Sequence, residues 1–134
     1  MRRFVSVALV VLLSVGLATY VAGELNEVVV VRTFDANGKP HETKVWAVDY
    51  EGDVWVRVAN PARRWYRRLL ENPQAELVRG GRVVPVLAEP SHDVGIRMAI
   101  DDLFHEKYGV VDWWYGLLLR RNPVPVRLRE IAIP

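Results

Sequence analysis

"VVVVRTFDANGKPHETKVWAVDYEGDVWVRVA", Val28 to Ala59, decides the fold. With Glu27, its first part is short and β-branched, as a half-buried strand requires. Asn37-Gly38 follows, a pair that accepts the left-handed backbone of a tight hairpin turn. His41–Tyr50 reads as the return strand and Glu51–Asp53 as a second tight turn. Val54–Ala59 reads as a third strand, with Arg57 interrupting its apolar run. Turns this short join antiparallel strands, because a parallel pair needs a crossover of about a dozen residues or more.

Toward the C-terminus, "NPARRWYRRLLENP" (Asn60–Pro73) reads as a helix of about ten residues, stopped near Asn72-Pro73. "AELVR", Gly80-Gly81 and "RVVPVLAEP" form another hairpin, with Pro85 marking an edge or a bulge. Ser91 is placed to cap a long helix whose apolar side is Val94, Met98, Ile100 and Leu103. "VDWWYGLLLRR" is a second short helix, and "PVPVRLREIAI" a sixth strand. Many short antiparallel strands are best accommodated by a sheet that closes on itself. The class is mainly β with helices, α+β, with no internal repeat and no linker dividing the domain.

Toward the N-terminus, Phe4–Gly23 carries no charge, Arg2 and Arg3 precede it, and Glu24 and Glu27 follow. A helix of roughly twenty residues spans about 30 Å, the thickness of the bilayer hydrocarbon. With positive charge kept inside, the expectation is one N-terminal hydrophobic helix with the domain outside the cytoplasm. Residues 1–23 then form either a signal-anchor or a signal peptide cut after "VAG", and residues 24–134 the folded domain. The first outcome gives a single-pass membrane protein, the second a secreted or periplasmic one.

Composition narrows the function classes. There is no cysteine, hence no disulfide, thiolate nucleophile or Cys-ligated metal. The formal charge of +2 rests on Arg2 and Arg3, so without them the two signs balance and nucleic acid is not an expected partner. His41, His92 and His105 lack metal-ligand spacing, and no metal is expected. Ser91-His92-Asp93 has the letters of a hydrolase triad, but adjacent residues cannot adopt its geometry.

Any cationic site must therefore be local, and the short helix holds four arginines. With Trp65 at zero and about 100° per residue, Leu69, Tyr66 and Leu70 fall at about 40°, 100° and 140°. These form the packing arc. Arg63, Arg67, Arg64 and Arg68 fall outside it, at about 160°, 200°, 260° and 300°. Arg63 and Arg64 sit in the first turn, where unbonded N–H groups favour anions, and the planar arginine fork suits phosphate or carboxylate.

The element order and several short motifs resemble the split β-barrel proteins of the flavin and deazaflavin oxidoreductase superfamily. They are most similar to its deazaflavin-dependent nitroreductase (nitroreductase/quinone reductase) family. The motifs are "TKVW" (Thr43–Trp46), Trp65-Tyr66, Leu69, Asn72-Pro73, Gly80-Gly81, "EKYG" (Glu106–Gly109) and "PVPVRL" (Pro123–Leu128). The resemblance implies a six-stranded antiparallel split β-barrel, often a homodimer. It implies a deazaflavin coenzyme or FMN whose anionic tail is bound by Thr43, Lys44, Arg63 and Arg64. It further implies hydride transfer to a small-molecule acceptor of quinone or nitro type, with no catalytic side chain identified. The alternative is a non-catalytic envelope protein using the same fold for ligand binding or assembly.

Overall fold

The structure is a computed structural model describing residues 2–25, 27–119 and 123–131; the side chains of 18–25, 110–112 and 114–119 are outside that description. The elements are α1 (Arg2–Leu25), β1 (Val29–Phe34), β2 (Pro40–Val45), β3 (Ala47–Tyr50) and β4 (Asp53–Val58). They continue with α2 (Arg64–Glu71), β5 (Gln74–Arg79), β6 (Arg82–Pro90), α3 (Val94–Leu119) and β7 (Val124–Glu130). The strands form one curled antiparallel sheet in the order β2-β1-β5-β6-β7-β4-β3.

Seven strands stand where six were expected. The stretch His41–Tyr50, read as one strand, breaks at Trp46. Its first half pairs with β1 (Val45 opposite Val29) and its second half with β4 (Ala47 opposite Val56). These halves are the two outermost strands of the sheet, yet one residue joins them. The sheet must therefore curl until its edges meet at Trp46, as in a split barrel.

Period-two alternation sorts side chains between the inside of the curl and its outside. On β1, Val29, Val31 and Thr33 point inward and are buried. Val56 and Val58 of β4, Leu77 of β5, Val86 of β6 and Val126 and Leu128 of β7 join them. Helix α2 completes this core with Trp65, Tyr66 and Leu69. A second core lies outside the sheet, where Trp55 of β4 and Val48 of β3 meet Ile100, Phe104 and Tyr108 of α3. The α3 contact uses positions four apart, Ile100, Phe104 and Tyr108. Val94 and Met98, expected on that face, are exposed. The helix is interrupted at Gly109 (φ 56°, ψ −129°), which corresponds to the expected division into two helices.

Ser91 is not the cap of α3. Asp93 takes that place, its Oδ2 accepting from the Ile96 amide at 2.9 Å, while Ser91 Oγ accepts from the Asp93 amide at 3.3 Å.

The membrane span over Phe4–Gly23 is a further correction. Among the described residues, no helix is long and apolar enough to cross a membrane. The expected single-pass topology and membrane partner are not supported.

Candidate functional site

The segment entering α2 is short and held by its own Asx turn. Asn60 Oδ1 accepts from the Ala62 amide at 3.0 Å, and Asn60 O accepts from the Arg63 amide at 3.0 Å. Arg63 occupies the N-cap with an extended backbone (φ −63°, ψ 142°), and its side chain makes no capping hydrogen bond. Arginine has no acceptor to offer there. The amides of the first turn are left without a side-chain cap, a preference for negative charge. Arg63, Arg64 and Arg67 are exposed, and none pairs with a carboxylate among the described residues.

Trp65 and Tyr66 pack the helix onto the inner sheet face rather than facing a ligand. Burial pushes the Tyr66 phenol upward from its ordinary pKa. Leu70, placed on the packing arc by the helical projection, is exposed.

The β1–β2 hairpin separates the other two candidates. Thr43 lies opposite Val31 and shares the inward face with Thr33 and His41; Lys44 lies opposite Val30 and takes the other face. Thr43 is thus on the side where α2 packs. Lys44 reaches that side only around the free edge of β2. The turn between the strands is self-contained. Asp35 Oδ1 accepts from the Asn37 and Lys39 amides, and Asp35 Oδ2 is 2.9 Å from His41 Nε2. Those bonds, His41 first, hold the Asp35 carboxyl below its ordinary pKa.

Arg68 behaves unlike its neighbours. It is half-buried, and its Nε donates at 2.9 Å to Oγ1 of Thr33, whose exposure is 0%. The helical projection put Arg68 on the solvated side. It lies only about 60° from Trp65 at 100° per residue, close enough to reach a hydroxyl under the helix edge. A buried threonine at the end of a β-branched strand was the signal for a polar partner.

Two of the concavities among the described residues are lined by none of Thr43, Lys44, Arg63 and Arg64. One, of about 160 Å³, is a mouth of the curl, between Val54, Leu77, Val84 and Leu128, with Arg79 and Arg82 at its rim. The other, of about 340 Å³, lies between Tyr50, Trp55 and Ile96. Two of its carboxylates are paired: Arg127 Nε donates to Asp53 at 2.6 Å, and Arg127 and Arg129 both pair with Glu89. Among the described residues no group of histidines and carboxylates is arranged to hold a metal ion.

Residues 22–121 match the model of the family described as uncharacterized protein conserved in bacteria (DUF2255). No curated protein matches the sequence. Among solved structures, HutZ, the heme storage protein from Vibrio cholerae, superposes with a TM-score of 0.66 at 16% identity, over 84% of this chain and 87% of HutZ. An F420-H2 dependent reductase (FDR-A) gives 0.56 at 20% identity, over 75% of this chain and 92% of the reductase. A protein described as a domain-swapped dimer gives 0.64 at 19% identity, over 78% of this chain and 82% of that one. At these identities the likeness shows the fold alone, a split barrel shared with these proteins.

Proposed function

The chain belongs to the bacterial DUF2255 family, and we propose that its split barrel binds a flavin or deazaflavin and serves as an oxidoreductase for a quinone or nitro-type acceptor. One observation carries the reading: the uncapped first turn of α2, flanked by two exposed arginines that pair with no carboxylate among the described residues. That arrangement fits the anionic tail of such a cofactor, and the fold shared with an F420-H2 dependent reductase supports it. When bound, the cofactor supplies the hydride chemistry. The chain's own residues bind and orient. Arg63 and Arg64 donate to the tail, Thr43 offers a hydroxyl from the inward face of β2, and Lys44 adds charge around the strand edge. Trp65 and Tyr66 hold α2 against the sheet, fixing where the arginines stand. The domain-swapped dimer among the similar folds supports a homodimer.

One feature favours a second reading, a non-catalytic ligand-binding protein. The loop before α2 uses its Ala62 and Arg63 amides internally, leaving fewer to approach a phosphate. Titration of the full chain with FMN and with a deazaflavin, followed by absorbance and fluorescence, separates the two. A charged hydrogen bond to phosphate contributes about 1.5–3 kcal/mol, so Arg64→Ala should weaken cofactor binding roughly ten- to a hundredfold. Arg67→Ala, which removes an exposed charge a turn further along, should change it less than about fivefold. Failure of the parent chain to bind either cofactor would leave the non-catalytic reading.

A further inference from the structure

We propose that Arg68, held by the buried hydroxyl of Thr33, is the specificity-determining anchor for the anionic group of the ligand; this rests on the cofactor reading above and goes beyond it. The four arginines of this segment are not equivalent. Arg63, Arg64 and Arg67 are exposed and take no side-chain partner among the described residues, so each must lose rotamer freedom on binding. Arg68 has already lost it. Its Nε–H is committed to Thr33 Oγ1 at 2.9 Å, and no other described residue bonds its two terminal nitrogens. A guanidinium fixed through Nε presents its remaining fork in one orientation, the geometry for two parallel bonds to a phosphate or carboxylate.

The surroundings suit that role. Thr33 is the single buried polar residue among those described, in a strand whose other inward positions are valines. Its Oγ1 also lies 3.4 Å from the His41 carbonyl oxygen, to which it donates, which leaves its lone pairs for Arg68. Thr43 is the diagonal cross-strand neighbour of Thr33 on the same face, a Cβ separation of about 7 Å. An anion between Arg68 and Thr43 would meet a fixed fork on one side and a hydroxyl on the other, with Arg64 one helical turn away. Arg68 is thus the contact oriented before binding, and Arg63 and Arg64 donate only once the ligand has ordered their side chains.

The test uses the full chain labelled with ¹⁵N at arginine Nε, with inorganic pyrophosphate and FMN as probes. The Arg68 Nε–H signal should be protected from exchange and should shift on pyrophosphate addition. Arg68→Lys keeps the charge and loses the fork; Thr33→Val keeps the volume and loses the hydroxyl. Both should weaken FMN binding about tenfold or more with the melting temperature of Arg68→Lys close to the parent, whereas Arg67→Lys should leave binding unchanged. A signal that pyrophosphate does not move, or an Arg68→Lys chain that binds FMN like the parent, overturns the inference. If Arg64→Ala alone weakens FMN binding, the cofactor reading stands and the role of Arg68 falls. If FMN and deazaflavin fail to bind but pyrophosphate shifts the Arg68 signal in the parent and not in Thr33→Val, the anchor stands and the cofactor reading falls.

Discussion

Trp65 shows how much of one residue's role is visible in sequence. Its spacing to Leu69 and Tyr66 marks a packing face, and all three are buried. Truncation to alanine would open a cavity between α2 and the inner sheet, and Trp65→Ala should lower the unfolding free energy by about 3–5 kcal/mol. Unchanged urea unfolding would mean that α2 does not close the core. Arg57 shows the opposite case. Its interruption of an apolar strand is plain, but its partners are not, because they lie on α3, far along the chain. Nη1 donates to Asp101 at 2.9 Å, and the guanidinium sits 4.0 Å from the centre of the Phe104 ring. Glu51 is a third case. It holds φ at +50° beside Gly52 at +83°, the backbone of a hairpin turn that favours Asn-Gly. Glu51→Asn should therefore stabilise the protein by about 1 kcal/mol, read as a higher urea midpoint; a midpoint that falls would show that the carboxylate contributes more than the backbone strain.

At the scale of elements, hairpins were legible because their signals are local. Gly38, Gly80 and Gly81 all have positive φ at the tips that the sequence marks. The break between β2 and β3 was not legible. "HETKVWAVDY" contains neither glycine nor proline, and what bends it is distant. Tyr108 stacks on Trp46 at 4.4 Å between ring centres, and its hydroxyl meets the Ala47 amide at 3.2 Å and the Glu27 carbonyl at 2.9 Å. The "EKYG" motif thus acquires a physical role: it pins the corner where the two sheet edges meet. Lys107 adds a bond to the Ala47 carbonyl at 2.7 Å. Tyr108→Phe would keep the stack and strand a buried amide without its partner. The expected loss is about 1–3 kcal/mol, checked by chemical denaturation, together with faster hydrogen exchange at Ala47. Retained protection at that amide would move the pin elsewhere. The same locality limits the site. Arg63 and Arg64 were visible as a cluster, whereas the bond that distinguishes Arg68 crosses from α2 to β1.

At the scale of the whole molecule, the strand order depends on contacts that no local pattern encodes. β1 pairs with β5, and β4 with β7, across long stretches of chain. An ionic network reinforces the closed arrangement. Arg79 of β5 holds Asp49 of β3 at 2.8 Å and Glu27 at 3.0 Å, and Lys107 of α3 also pairs with Glu27. Arg79, ahead of Lys107, lowers the Glu27 pKa from its ordinary 4.5, and Arg79 lowers that of Asp49 from 3.8. Both carboxyls titrate lower in the folded protein than in the unfolded chain. Each therefore adds stability that is fully present above its unfolded pKa and is lost as pH falls through its folded value. Stability should be nearly constant from about pH 5 to 8 with respect to these groups and should decline below about pH 4. Solvent screening keeps the decline modest, since both carboxylates are more than a third exposed. Arg79→Gln removes the shared cation, so its melting temperature should start lower at neutral pH and fall less steeply on acidification. Asp35, held by His41 on the far hairpin, keeps its own acid sensitivity in that variant, so a residual slope is expected. Parallel melting curves for parent and variant between pH 5 and pH 2.5 would show that the network at the seam does not couple protons to folding.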